Sequence, residues 1–94
     1  MKRKLKIDKS VNRSVVLCET TNFHAGKLTS RKLTEDSISF RKAWKKIPFF
    51  KRGAYHGADK ICVIYINRNE YSRARRSLDT LEFKIRERLL LNVI

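Results

Sequence analysis

Two apolar runs dominate the hydrophobic pattern of the chain, and both predict β-strands. The stronger run is ICVIYI, from Ile61 to Ile66, in which each side chain is apolar. A strand of this kind is covered on both faces, so it should lie at the centre of a sheet. The second run, SVVLCE from Ser14 to Glu19, contains adjacent β-branched residues and predicts a further strand.

A helix is predicted over residues 34–47. Thr34 suits the N-cap position, and Glu35 and Asp36 fill a first turn in which the helix dipole favours negative charge. Pro48 would end the helix, because the residue before a proline avoids the helical conformation. The apolar residues of this segment have the spacing i, i+3, i+4, i+7 and should form one core-facing side: Phe40, Ala43, Trp44 and Ile47.

A last helix is predicted from Glu70 to Leu91. Its apolar positions recur every three or four residues and form a second core-facing stripe: Tyr71, Ala74, Leu78, Leu81, Ile85 and Leu89. Residues 20–33 have no clear period, and residues 48–60 contain two glycines, so both segments are interpreted as loops.

These elements predict a single α+β domain over residues 1–94. Its small sheet of about three strands would be packed by two helices, in the order β-β-α-β-α. Residues 1–13 form the densest basic block of the chain and would contribute either the first, edge strand or a loose basic arm.

Positive charge is the strongest compositional signal. The chain has 23 Lys and Arg against 9 Asp and Glu, which gives a formal net charge of +14. Such a molecule repels itself and attracts polyanions. Nucleic acid is favoured over an anionic membrane, because the apolar side of helix 34–47 is only as wide as a core stripe. Four basic residues fall opposite that apolar side and predict a cationic contact face: Arg41, Lys42, Lys45 and Lys46.

Arginines crowd the start of the last predicted helix. Cations at this end oppose the helix dipole, so helix stability does not explain them. Guanidinium groups and helix N-terminal amides both suit phosphate oxygens. The crowded positions are therefore predicted to extend a phosphate-binding surface: Arg68, Arg73, Arg75 and Arg76.

The segment IPFFKRGAYHG interleaves aromatic and basic residues, a combination that suits stacked bases and neutralised phosphates. Phe49 and Phe50 are expected to enter the core after the proline, because large apolar side chains are mostly buried. The rest of the set is expected at the surface, where the tyrosine and the histidine are candidates for base or sugar contacts: Lys51, Arg52, Tyr55 and His56.

The remaining candidate chemistry is sparse. Cys18 and Cys62 lie in separate apolar runs and are expected to be buried, reduced thiols, with a disulfide between adjacent strands as the alternative. No residues have the spacing of a zinc site or of a phosphate-binding loop, and no cofactor is expected. His24 and His56 supply acid–base groups for a ribonuclease, although nothing in the sequence brings them together.

The sequence therefore predicts a non-enzymatic protein that binds DNA or RNA through phosphate contacts. The alternatives are a small basic ribonuclease and an interaction or inhibitor protein that binds an acidic protein surface. The apolar C-terminal segment LLLNVI suits a homodimer or another protein partner. No apolar stretch approaches the length of a membrane span and no leader is recognisable, so a cytoplasmic location is expected.

Overall fold

A computed structural model of the protein describes residues 13–93. Its principal elements follow the order β-α-β-β-α-β. The strands are β1 (Ser14–Thr20), β2 (Phe40–Lys46), β3 (Lys60–Asn67) and β4 (Leu90–Leu91), and the α-helices are α1 (Phe23–Glu35), α2 (Tyr71–Leu78) and the short α3 (Phe83–Arg86). Two 3-10 helices lie on either side of β3, at Phe49–Tyr55 and Arg68–Glu70. An arm or edge strand was expected for residues 1–13, and residues 1–12 of this segment lie outside the described residues.

The strands form one antiparallel sheet in the order β2-β3-β1-β4. Because β3 lies between β1 and β2, helix α1 joins two strands that are not neighbours. This split β-α-β unit, followed by a second helix and an edge strand, is the ferredoxin-like arrangement. The predicted α+β class is confirmed. The element order and the number of strands differ from the prediction, because a helix lies between β1 and β2 and the C-terminus adds a strand.

The α-helices pack on one face of the sheet, which we call the covered face. Cys62, Ile64 and Ile66 alternate along β3 onto this face, and at most 2% of each is exposed. The prediction that ICVIYI forms a central strand is confirmed. The helices complete this core with a set of small and apolar side chains: Ala25, Leu33, Ala74, Leu78 and Ile85.

Helix α1 occupies most of the segment that was expected to be a loop. Asn22 is its N-cap, and the side-chain oxygen of Asn22 accepts a hydrogen bond of 2.8 Å from the backbone N–H of Ala25. Ala25, Thr29 and Leu33 recur every four residues and form its buried side. The loop prediction was wrong because small and polar residues supply much of that side, which weakens the apolar periodicity.

The helix predicted over residues 34–47 is also wrong. Thr34 and Glu35 belong to the end of α1, and Ser37 then takes a left-handed conformation with φ of 57°. From Phe40 onwards the chain pairs with β3 over seven consecutive positions. Pairing with a buried central strand outweighs the helical spacing of the apolar residues, since strand formation depends strongly on context.

Trp44 was expected in the core but lies on the edge strand β2. It is 41% exposed, and its ring stacks on Phe23 with 6.1 Å between the ring centroids. The edge position explains this exposure, because β2 has a neighbouring strand on one side only among the described residues.

The predicted last helix divides before it reaches Leu91. Helix α2 ends at Leu78, and the Thr80 hydroxyl donates to the Ser77 carbonyl oxygen at 2.7 Å, a local bond that competes with helix continuation. The chain returns to the sheet as β4, and the side-chain amide of Asn92 donates to the Val16 carbonyl oxygen at 2.8 Å. Leu90 and Leu91 of the C-terminal apolar run therefore form an edge strand.

Both cysteines are free and buried in the covered face, as predicted. Burial raises the pKa of Cys18 to about 12, with smaller contributions from the neighbouring Cys62 and Glu19. Burial also raises the pKa of Cys62, although the charge of Lys42 opposes this shift. Within residues 13–93, no helix has the length and the apolar character needed to cross a membrane.

Candidate nucleic-acid interface

The second face of the sheet, which we call the open face, has a different covering. Ile61 and Val63 of β3 are buried on this side, and Tyr65 is half-buried beside them. Their cover comes from Tyr55 and Ala58, at the end of the first 3-10 helix and in the turn after it. This cover extends over the Ile61 end of β3 and leaves the Tyr65 end more accessible.

A cluster of two cations and one aromatic ring lies at the accessible end. The Arg41 guanidinium is 4.1 Å from the centroid of the Tyr65 ring, and the Lys45 ammonium is 5.4 Å from the same centroid. Cation–π contacts at exposed sites are worth about 0.5–1 kcal/mol. They orient both cations over the sheet while leaving them able to contact an anion.

The strand geometry of β2 divides the four basic residues that were predicted to share one helical face. Arg41 and Lys45 are four residues apart, an even number, and lie opposite Tyr65 and Ile61 on the open face. Lys42 lies opposite Ile64 and therefore alternates to the other side. The predicted helical face is wrong, but its first and third members remain together.

A groove of about 240 Å³ runs along the open face. Its floor is apolar and comes from β1 and β3: Val16, Ile61, Val63 and Tyr65. Lys45, Lys46 and Lys51 line its side towards β2 and the 3-10 helix, whereas Glu19 of β1 lines the other side. Among the described lining residues, lysines outnumber the single carboxylate, and they leave the groove positive on its β2 side, which suits a phosphate backbone.

The 3-10 helix Phe49–Tyr55 presents two rings to solvent. Phe49 is 81% exposed and Phe50 is 79% exposed, so the prediction that they enter the core is wrong. The helix packs on the sheet through Tyr55 instead, and Arg52 Nε donates to the Ile47 carbonyl oxygen at 3.1 Å. Large apolar side chains held at the surface mark binding sites when they lie together.

A second, larger pocket of about 480 Å³ lies beyond Tyr55 and shares Tyr55 and Ile61 with the groove. His56 lies on its rim and closes the 3-10 helix in a left-handed conformation with φ of 58°. Glu87 and Arg88 line the same pocket. His24 lies in the first turn of α1 and is not among the lining residues, so this pocket does not bring the two histidines together.

Two of the four predicted phosphate-binding arginines have structural partners on the helix side. Arg73 forms an ion pair of 2.7 Å with Glu70, and it donates hydrogen bonds to the carbonyl oxygens of Asp36 and Ser37 at 2.8 and 3.2 Å. These carbonyls follow the end of α1, so Arg73 holds α1 to α2. The sequence could not reveal this role of Arg73, because the oxygen atoms that accept its hydrogen bonds are more than 30 residues away along the chain.

Arg75 holds the C-terminal segment. It donates to the hydroxyl of Tyr71 at 2.7 Å and to the carbonyl oxygen of Asn92 at 3.4 Å, and the Tyr71 hydroxyl donates to the same carbonyl. Arg76 is exposed on α2. Arg68 is exposed in the second 3-10 helix, at the Tyr65 end of β3. The four arginines therefore do not form one grip.

Tyr65 and Glu19 were not predicted as functional residues. Both lie in apolar runs that were interpreted only as strands, and their position on the open face depends on sheet register. The alternation of ICVIYI could have placed Tyr65 on one side with Ile61 and Val63, but could not have shown which side lacks helices. Among residues 13–93, no group of three or more His, Cys, Asp and Glu could hold a metal ion.

The geometry brings Arg41, Lys45, Lys51 and Tyr65 to one surface. Lys46 alternates with Lys42 to the other side of β2, although at the end of the strand it still lines the groove. Arg73 and Arg75 have structural contacts on the helix side. No protein-family model, curated protein or solved structure matches the chain.

Proposed function

We propose that the protein binds nucleic acid through the open face of its sheet, as a binding protein without a reaction of its own. The observation that carries this proposal is the Arg41–Tyr65–Lys45 cluster beside an apolar groove. Cations next to an accessible ring are the combination that contacts phosphates and bases together. The net charge of +14 favours the approach of a polyanion from any direction.

In this proposal, Arg41, Lys45 and Lys51 contact phosphates, with Lys46 at the end of β2 as a further contact. Arg52 and His56 lie farther along the 3-10 helix, and Arg68 lies beyond the other end of β3. Such a role requires access to nucleic acid inside the cell, and the two free thiols suit a reducing compartment.

The test is a salt titration of binding to labelled DNA and RNA, single-stranded and double-stranded. With about four phosphate contacts, the plot of log affinity against log salt should have a slope near −3 on single strands and near −4 on B-DNA. A salt-independent affinity, or no binding at low salt, would contradict the proposal.

The decisive variant is Arg41→Ala with Lys45→Ala. It should weaken binding by about 30-fold at low salt and reduce the slope by about 1.4 on single strands, because two phosphate contacts are lost. The matched control is Arg76→Ala with Lys84→Ala, which removes the same charge from exposed positions of α2 and α3. Equal losses in the two variants would show that only net charge matters and would contradict the assignment of the open face.

A second candidate function, RNA cleavage, is favoured by the pocket that contains His56, Tyr55, Glu87 and Arg88. These residue types include an acid–base group and a cation for developing phosphoryl charge. Incubation of labelled RNA with the wild-type protein and with His56→Ala tests it. Cleavage that is lost in His56→Ala would establish the ribonuclease function. RNA that is bound but stays intact would contradict it and would support binding without cleavage.

A further inference from the structure

We infer that the nucleic acid on the open face is single-stranded, and that its bases stack on two platforms: the Arg41 guanidinium that lies over the Tyr65 ring, and the exposed pair Phe49 and Phe50. This inference rests on the proposed nucleic-acid function and specifies its ligand. Tyr65 lines the groove directly, whereas Phe49 and Phe50 lie on the 3-10 helix between two residues that line it, Pro48 and Lys51.

The floor of the groove excludes a duplex as the best ligand. It consists of Val16, Ile61, Val63 and Tyr65, which offer apolar atoms and one ring. A duplex turns its phosphates outward and keeps its bases paired inside, so it would place charge against this apolar floor. An unpaired strand can turn its bases to the floor and its phosphates to the lysines of the rim.

The phenylalanine pair continues the same surface. Phe49 and Phe50 lie between Pro48 and Lys51 in sequence, and both of these flanking residues line the groove. The 3-10 helix that carries the rings is held by the bond from Arg52 to Ile47 and by a bond of 2.7 Å from the Gly57 N–H to the Arg52 carbonyl oxygen. Rings presented on a braced segment can accept a base without a large ordering penalty.

The length of the surface sets the number of nucleotides. Tyr65 and Ile61 are four residues apart on β3, which spans about 14 Å at the usual rise of a strand. At about 3.4 Å per nucleotide of a stacked strand, this distance holds about four nucleotides. The 3-10 helix extends the path beyond Ile61, so the affinity for single strands should level off by about eight nucleotides.

The charges indicate which side of the groove the backbone follows. The cations are on the β2 side, and the carboxylate of Glu19 is on the β1 side, opposite Val63. Phosphates should therefore run along β2 towards Lys51. A lipid surface would contact the tips of Phe49 and Phe50 and leave the Tyr65 cluster unused, so a nucleic-acid strand accounts for more of the surface than a membrane does.

The experiment compares affinities of the full chain for single strands of about 4 to 16 nucleotides and for the matching duplexes. The variant Phe49→Ala with Phe50→Ala should weaken single-strand binding by about 10-fold or more, because a stacked base contributes about that much. The salt slope should stay constant, since no charge is removed. Phe83→Ala is the matched control: Phe83 is 68% exposed but lies on α3 in the helix layer, and its loss should change nothing.

Tyr65→Leu tests the other platform. Leucine keeps apolar bulk on the floor but cannot hold the Arg41 guanidinium in a cation–π contact, so folding should be retained while single-strand affinity falls by about 10-fold. Circular dichroism and the thermal midpoint verify folding for each variant. Tyr65→Phe keeps the ring and should retain affinity.

The failures of the two proposals are distinguishable. Tighter binding to duplexes than to single strands would overturn the single-strand inference and leave nucleic-acid binding in place, whereas no binding to any nucleic acid would overturn both. Unchanged single-strand affinity after loss of Phe49 and Phe50, together with lost binding to vesicles of phosphatidylserine and phosphatidylcholine, would overturn the inference and assign the pair to a membrane.

Discussion

The two faces of strand β3 are both apolar, yet they have different partners. On the covered face, Cys62 and Ile64 are fully buried beneath the α-helices. On the open face, Ile61 and Val63 are 7% and 4% exposed, and Tyr65 next to them is partly buried with two cations of β2 over its ring. Helices complete one core, whereas a single 3-10 helix completes only part of the other. The incompletely covered apolar surface is the one on which the proposed binding site lies.

The basic residues repeat this division. Arg73 and Arg75 donate hydrogen bonds to carbonyl and carboxylate oxygens within the protein itself. Among the described residues, the side chains of Arg41 and Lys45 lie over an aromatic ring and form no ion pair with a carboxylate, so their charged groups can still bind an anion. Charge of the same sign therefore stabilises the protein on one side and is available for binding on the other.

The largest expected contrast is in stability. Ile64→Ala on the covered face should lower the free energy of unfolding by about 2–5 kcal/mol, because it leaves a cavity under the helices. Tyr65→Leu on the open face should lower it by about 1 kcal/mol or less, as expected for a partly exposed position. Urea denaturation of both variants measures the difference. Similar losses would show that the open face is an equally complete core.

The covered face should also respond to alkaline pH. Burial keeps the Cys18 thiol protonated in the folded protein up to about pH 12, while the unfolded chain releases this proton above about pH 9. The unfolded state therefore gains stability as pH rises, and folding should weaken by about 1.4 kcal/mol per pH unit for this thiol. Subtracting the profile of Cys18→Ala isolates the effect from other groups. If the free energy of unfolding depended on pH in the same way in the wild type and in Cys18→Ala between pH 9 and 11, the predicted effect of the Cys18 thiol would be contradicted.

Arg73→Ala separates structural from binding cations. It removes the ion pair with Glu70 and the bonds to the carbonyls of Asp36 and Ser37, which should lower stability by about 1 kcal/mol. Nucleic-acid affinity should change only by the small factor expected for the loss of one charge away from the open face. Thermal denaturation measures the effect on stability, and fluorescence anisotropy measures the effect on binding. A loss of affinity as large as that of the Arg41 and Lys45 variant would show that Arg73 contacts the nucleic acid.

The smallest expected effect concerns the one carboxylate that lines the groove. Glu19→Gln removes its repulsion of phosphates and should raise affinity about 2-fold at low salt, with less gain at high salt because exposed charges are screened. Competition titrations against the wild-type protein resolve a change of this size. A decrease in affinity would indicate that Glu19 instead accepts a hydrogen bond from a base.

Several elements could be read directly from the chain. ICVIYI and SVVLCE are strands in the structure, and both cysteines are buried thiols, because runs of apolar and β-branched residues have few alternatives to a covered strand. Helix α1 could not be read in the same way, since its buried side includes Thr29 and a glycine. At the site, Arg41 and Lys45 were predicted to lie together on one face of a helix. They do lie together, but on one face of strand β2.

The sequence by itself determined the net charge of +14, the central strand and the reduced cysteines, because these follow from composition and from runs of neighbouring residues. The tertiary structure decided that residues 40–46 form an edge strand, because the hydrogen-bonding groups of β3 were available to pair with them. That pairing determines which cations flank Tyr65 and which side of the sheet remains open. Contacts between distant segments thus decide which of the many basic residues of the chain lie together on one face.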